Sequence, residues 1–208
     1  MELSFEVFTG GFCQTNAYLL KFDGRHVLVD APDDAAEWLT TQNVNLDALL
    51  LTHQHFDHVM DAAKIKAEQR CPVYAWSPPS PELWLNRLFS SLSGWSLEVR
   101  DYEVDHLLDG LTSVALPGIN FELLHVPGHS PDSVCFYHAP SQSCFSGDTV
   151  FHDGIGRTDF PGGSQAQLLD GIRQKLLSLP DGVALLPGHG CPTTVSRERR
   201  ENAFLRAA

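Results

Sequence analysis

The chain is poor in positive charge. Lysine and arginine total 14 against 26 aspartates and glutamates, a formal net charge of -12. Nucleic acid is therefore disfavoured as a partner, because phosphate binding needs a basic surface. No run of 18 apolar residues occurs, which argues against a membrane-spanning helix and a membrane partner. The start, MELSFEVFTGG, lacks a basic stretch followed by an apolar block, so no export signal is expected. The five cysteines, Cys13, Cys71, Cys135, Cys144 and Cys191, are odd in number and form no C-x-x-C. Free thiols in a reduced, cytoplasmic setting are the simplest reading. Cys191 stands two residues after His189 and is expected to be a buried, inert thiol. Charged residues are only 19% and hydrophobic ones 43%, which excludes disorder and supplies a core. No G-x-S-x-G is present: GGSQA lacks the final glycine, so serine hydrolysis is disfavoured.

What is present reads as strands interrupted by helices. NAYLLKF and RHVLVD flank Asp23-Gly24, a tight-hairpin signal. LDALLLTH is a near-continuous apolar run, typical of a strand buried on both faces. DHVMDAAKIKAEQR predicts a helix with Asp57 near its start and Pro72 beyond its end. CPVYAW, INFELLHV, SVCFYH, SCFSGDTVF and GVALLPGHG predict further strands. Ser164 caps a predicted helix whose Leu168, Leu169, Ile172, Leu176 and Leu177 form one apolar face. Residues 77–108 are less regular, and Trp84, Phe89 and Trp95 there are read as packing a helix onto a sheet. No low-complexity linker divides the 208 residues, so a single domain, 1–208, of α/β (α+β) class is expected: two sheets with helices outside them.

Four turns share one pattern, an apolar strand followed by a sharp polar bend: LLLTHQHFDH, ELLHVPGHS, CFSGDTVF and ALLPGHG. They deliver His53, His55, Asp57 and His58, then His129, then Asp148, then His189. With 10 histidines in the chain, His-x-His-x-Asp-His arises by chance on the order of once in a thousand such sequences. Alternate residues of an extended segment face one way, so His53 and His55 suit one ion. The turn into a helix re-aims Asp57 and His58 towards a second. His129 would complete the first set and His189 the second, with Asp148 bridging. Imidazole and carboxylate donors suit zinc first, and also iron or manganese. Three protein ligands per ion leave room for water, as a catalytic site requires. His26, His106, His125, His138 and His152 are read as surface or satisfied core histidines.

THQHFDH, PGHSPDS, SGDTVF and PGHG resemble the metallo-β-lactamase superfamily, over nearly the whole chain. The resemblance implies an αββα sandwich of two mixed sheets with helices on the outer faces. It also implies a dinuclear site built from the seven residues. Asp30, in VLVDAP, falls where the family has an aspartate behind the ligands. The segment GDTVFHDGIGRTDFPGGS looks like the glyoxalase II-like hydrolases and the persulfide dioxygenases. Arg157 there corresponds to a basic residue beside the glutathione part of a thiol substrate. Its alternative is a structural salt bridge to Asp159 or Asp153. True lactamases are disfavoured, because the common zinc types replace the bridging aspartate with cysteine and are exported. The chain ends about twenty residues after His189, without the helical glutathione-binding domain of glyoxalase II proper, and so resembles the compact bacterial form.

The expected activity is hydrolysis of a small-molecule thioester such as S-lactoylglutathione by metal-bound hydroxide, with Asp57 orienting the hydroxide. The alternative is a mononuclear Fe(II) persulfide dioxygenase acting on glutathione persulfide, using His53, His129 and Asp148.

Overall fold

The computed structural model describes residues 3–94 and 96–206. The chain divides into two compact units, Met1–Asp109 and Gly110–Ala208, each holding one six-stranded mixed sheet.

In the first unit the strands are β1 (Ser4–Gly10), β2 (Thr15–Phe22), β3 (Arg25–Val29), β4 (Ala48–Leu50), β5 (Val73–Ala75) and β6 (His106–Leu107), side by side in that order. β1, β2 and β3 are antiparallel, and β3 to β6 run parallel. Asp23 and Gly24 both take positive φ, 46° and 72°, as the hairpin signal requires. The parallel strands end at one edge. Asp30 follows β3 there, and Thr52 and His53 follow β4; the antiparallel β2 begins at the same edge with Thr15. Helix α1 (Ala35–Gln42) follows the Asp30 turn.

The helix predicted from residue 57 is broken into α2 (Phe56–Val59) and α3 (Ala62–Gln69). The break has a local cause. The carbonyl of His58, which a continuous helix would bond to residue 62, accepts instead from the Ala31 amide at 2.8 Å. Asp61 turns its carboxylate to the Ala36 amide at 2.9 Å. Beyond β5, α4 (Pro81–Trp84) and α5 (Asn86–Ser93) are separated by Leu85 in the left-handed region, φ 56°. Trp84 is buried in the core with Leu19, Leu28, Leu49 and Phe56, its ring stacked on Tyr102, and Phe89 packs against the same cluster. For these two the packing reading holds; Trp95 lies outside the described residues.

The second unit orders its sheet β14 (Thr193–Thr194), β13 (Ala184–Pro187), β10 (Ser143–Gly147), β9 (Val134–His138), β8 (Ile119–His125) and β7 (Ser113–Leu116). β10 and β13 are parallel, and β8 points the same way through two antiparallel steps. All three therefore finish at one edge. A short hairpin, β11 (Val150–Phe151) with β12 (Gly154–Ile155), leaves β10. Ser164 caps α6 (Gln165–Gly171) by accepting from the Gln167 amide, and Ile172–Leu176 then widens into a π turn. Leu168, Ile172 and Leu176 are fully buried, as the apolar stripe predicted, and Leu169 and Leu177 pack partly buried beside them. Helix α7 (Val195–Glu201) ends the regular structure. No helix among the described residues is long and apolar enough to cross a membrane.

One expectation is corrected. Cys191 is exposed, because it follows Gly190 (φ 75°) in the turn before β14 and has no strand to bury it. Cys71, Cys135 and Cys144 are buried and Cys13 half-buried, all as free thiols.

Candidate metal centre

In the first unit the histidine-rich turn leaves β4 and enters α2. His53, His55 and His58 are buried, at 1%, 5% and 0% exposure. The His53 ring lies 4.6 Å from that of His55 and 4.1 Å from that of His58, centroid to centroid. Asp30, buried behind them with φ 62°, organises the group. Its Oδ1 accepts from the Thr52 amide and its Oδ2 from the Thr52 hydroxyl, both at 2.8 Å. His58 Nδ1 stands 2.9 Å from the same Oδ2. A carboxylate only accepts, so Nδ1 of His58 carries the proton and Nε2 keeps its lone pair. The Thr52 hydroxyl, having given its proton to Asp30, accepts from His53 Nδ1 at 3.2 Å, which fixes His53 in the same tautomer. One carboxylate thus presents two imidazoles by their Nε2 atoms. Asp57, in the first turn of α2, is held by the Thr15 hydroxyl, which donates to its Oδ2 at 2.8 Å. Gln54, between the first two histidines, donates to the Ser77 and Pro78 carbonyls and accepts from the Tyr102 hydroxyl at 2.8 Å.

In the second unit His129, Asp148 and His189 follow the ends of β8, β10 and β13. His129 Nδ1 stands 2.8 Å from the carbonyl oxygen of Arg157, so it too donates there and leaves Nε2 as an acceptor. Asp148 Oδ2 lies 3.5 Å from His129 Nε2 and 3.3 Å from His189 Nε2. One carboxylate oxygen thus stands between two imidazoles, as a bridging ligand would. The segment carrying the Arg157 carbonyl can approach because residue 156 is glycine. A Cβ at Gly156 would meet the Asp148 carbonyl oxygen at 1.9 Å and the His129 Cβ at 3.0 Å.

These separations test whether divalent ions fit. For His129 and Asp148, and for His58 Nε2 and Asp57 Oδ2 at 3.8 Å, two acceptors face each other. Such pairs repel unless a cation lies between them. A charge-assisted N–H···O bond would be about 2.7–2.9 Å. Two donors each about 2.0–2.2 Å from a tetrahedral ion stand roughly 3.3–3.6 Å apart. The donor chemistry of each unit fits divalent metal ions; the 3.5 and 3.3 Å separations in the second unit match that spacing, and 3.8 Å in the first is slightly wider.

Sequence reasoning named the seven candidate ligands and Asp30, which the structure places at these strand ends, but did not name Thr15, Thr52 and Gly156. A threonine opening a strand and a glycine in a loop carry no spacing signal, because their roles arise from contacts distant in sequence. Arg157 forms a two-pronged contact to Asp159, with Nε and Nη2 each donating at 2.7 Å, and its guanidinium lies 4.0 Å over the Phe160 ring. Hydrogen bonding from Arg157 holds the Asp159 carboxyl down at about 2. Asp153 pairs with Arg197 instead. Of the other histidines, His138 is buried with Nδ1 2.7 Å from Ser141 Oγ, His106 stacks on Tyr74 and His125 meets the Pro131 carbonyl.

The model of the metallo-β-lactamase superfamily matches residues 10–189. The hydroxyacylglutathione hydrolase GloC of Haemophilus influenzae is 36% identical over 202 residues, 92% of this chain and 93% of that protein. Among solved structures, the BLEG-1 B3 metallo-β-lactamase superposes with a TM-score of 0.89 at 36% identity, covering 98% of this chain and all of the other. TTHA1623 in a di-iron-bound form gives 0.82 at 35% identity, covering 96% of this chain and all of the other. With its two mixed sheets and flanking helices, its histidine and aspartate donors and these relatives, the chain belongs to the metallo-β-lactamase superfamily.

Proposed function

We propose that the protein is a dinuclear metal-dependent thioester hydrolase. In this reading His53, His55 and His129 would hold one divalent ion and Asp57, His58 and His189 the other, with Asp148 available to both. Zinc is the first candidate and iron or manganese the alternatives; the di-iron form of TTHA1623 keeps iron in view. The observation that carries the reading is the set of facing acceptors in each unit, with ring tautomers fixed by Asp30, Thr52 and the Arg157 carbonyl. When bound, such an ion pair supplies a water whose pKa falls to about 7.

The chain's own residues do the rest. Asp57, anchored by Thr15, has a second carboxylate oxygen with which to orient the attacking water. Asp30 keeps the histidines in their ligating tautomer. The leaving thiol, with a pKa of about 8.5, departs as thiolate with little acid assistance. Overall, water adds to the acyl carbon, the C–S bond breaks, and a carboxylate, a thiol and one released proton result.

The similarity to GloC supports a glutathione thioester, with S-lactoylglutathione the first substrate to try. Arg157 is the candidate for the carrier's carboxylate. Its fork to Asp159 uses Nε and Nη2, which leaves the Nη1 face for a second carboxylate. In that role Arg157→Ala raises KM for S-lactoylglutathione about tenfold and leaves kcat unchanged; unchanged KM assigns the arginine to Asp159 alone. The net charge of -12 and the free thiols fit a small-molecule enzyme of a reducing compartment.

His53→Ala and Asp148→Ala are each expected to abolish hydrolysis of S-lactoylglutathione and to lower metal content. Full turnover by such a variant freed of metal would sink the mechanism. The similarity to BLEG-1 makes a β-lactam the control substrate. Turnover of the lactam with none of the thioester would favour that activity instead. The mononuclear dioxygenase reading gives no role to the Thr15–Asp57 and Asp30–His58 contacts, which orient donors of the second ion.

A further inference from the structure

Beside Asp57 the first unit holds a small pocket with a cavity volume of ≈ 50 Å³. Its walls are Phe12, Phe56, Met60 and Leu97, with Asp57 and Asp33 as the acidic side chains. The β1–β2 turn forms one side and is held close to the chain after β3. A Cβ on Gly10 would meet the Asp33 carbonyl oxygen at 2.2 Å, and Gly11 takes φ 64°. This places the Phe12 ring against Phe56, centroids 5.9 Å apart and nearly parallel at 18°, although Phe12 is 51% exposed. Phe56 is itself buried against Phe89, at 4.8 Å. A half-exposed phenylalanine on the rim of an apolar pocket leaves hydrocarbon in water that a bound hydrocarbon would cover.

We propose that this pocket receives the acyl group of the thioester and selects among short acyl chains by their length. The inference rests on the thioester reading of Asp57 and adds the orientation and preference of the substrate. Three observations support it. The pocket shares the side chain of Asp57, so a group in it lies next to the residue assigned to the attacking water. At ≈ 50 Å³ it is far smaller than the roughly 300–1,000 Å³ of pockets that hold a whole ligand, so it admits a few carbons and not a glutathione conjugate. Its acidic Asp33 repels the carboxylates of an anionic thiol carrier but not an uncharged acyl chain. The flexible thioether of Met60 suits a wall that meets chains of different length.

The test compares S-acetyl-, S-butanoyl- and S-octanoylglutathione on the metal-loaded protein, with acetate and butanoate binding measured by calorimetry as a readout that needs no turnover. Each buried methylene strengthens binding about fourfold, so butanoyl should exceed acetyl in kcat/KM, and butanoate exceed acetate in affinity, by about fifteenfold. Phe12→Ser, at an exposed position, should reduce that ratio to near one without changing metal content. Leu97→Ala should move the preference towards the octanoyl ester. Equal affinity for acetate and butanoate, or a ratio unchanged in both variants, overturns the pocket assignment even if thioesters are hydrolysed well. Tighter butanoate binding lost in Phe12→Ser, with no thioester turned over, retains the pocket and overturns the hydrolase reading instead.

Discussion

Individual side chains carry the chemistry here through what stands behind them. Asp30 is not a ligand in this reading; it fixes which nitrogen of His53 and His58 donates and which is left as the acceptor. Thr15 orients Asp57 by donating to its Oδ2, the oxygen that faces His58. Loss of such a supporting contact typically lowers metal affinity about 10–100-fold. Thr15→Val, which keeps the branched shape and removes the hydroxyl, is therefore expected to weaken the second ion by about that factor, read by competition with a chelator. Unchanged affinity would mean that the hydroxyl only satisfies a polar atom. The seven candidate residues stood out in the sequence because four strand ends deliver them in a pattern too dense to be accidental. Thr15, Thr52 and Gly156 were not, since each matters through one atom facing a residue far along the chain, or through the space a missing Cβ leaves.

At the scale of elements, hydrophobic pattern located strands and helices better than it located their ends. The Asp23-Gly24 hairpin and the Ser164-capped helix appear where the sequence placed them, because turn and cap chemistry is local. The helix from residue 57 was drawn too long, because its interruption comes from Ala31 and Ala36, on another segment. The π turn at Ile172–Leu176 was also invisible; there the Leu177 amide bonds back to the Ile172 carbonyl at 2.8 Å. Asp61 at the α2–α3 break gives a pH prediction. Burial holds its carboxyl above the usual carboxylate range, against the opposing Ala36 hydrogen bond. Its folded pKa thus exceeds the unfolded one. The stability it contributes is present below about pH 3.9, the unfolded value, and is lost as pH rises through the folded value. Asp61→Asn keeps an oxygen for the Ala36 amide and removes the buried charge. It is expected to raise the melting temperature of the metal-free protein at pH 7 and not at pH 3.5. A lower melting temperature at pH 7 would show that the charged carboxylate supports the fold.

For the molecule as a whole, family membership points to a metal-dependent hydrolase and leaves the specific activity and substrate to experiment. Relatives of equal similarity carry the names of a glutathione thioester hydrolase and of a lactamase. Two sets of donors, one ending three strands of the second sheet and one leaving β4 of the first, are what this chain brings to that chemistry. Both sets matter only if two ions are needed. The most direct test is to titrate zinc or iron into the metal-free protein while following S-lactoylglutathione hydrolysis. The account predicts activity that rises until two ions per chain are bound and then stays level. Activity complete at one ion, or absent at two, would contradict it.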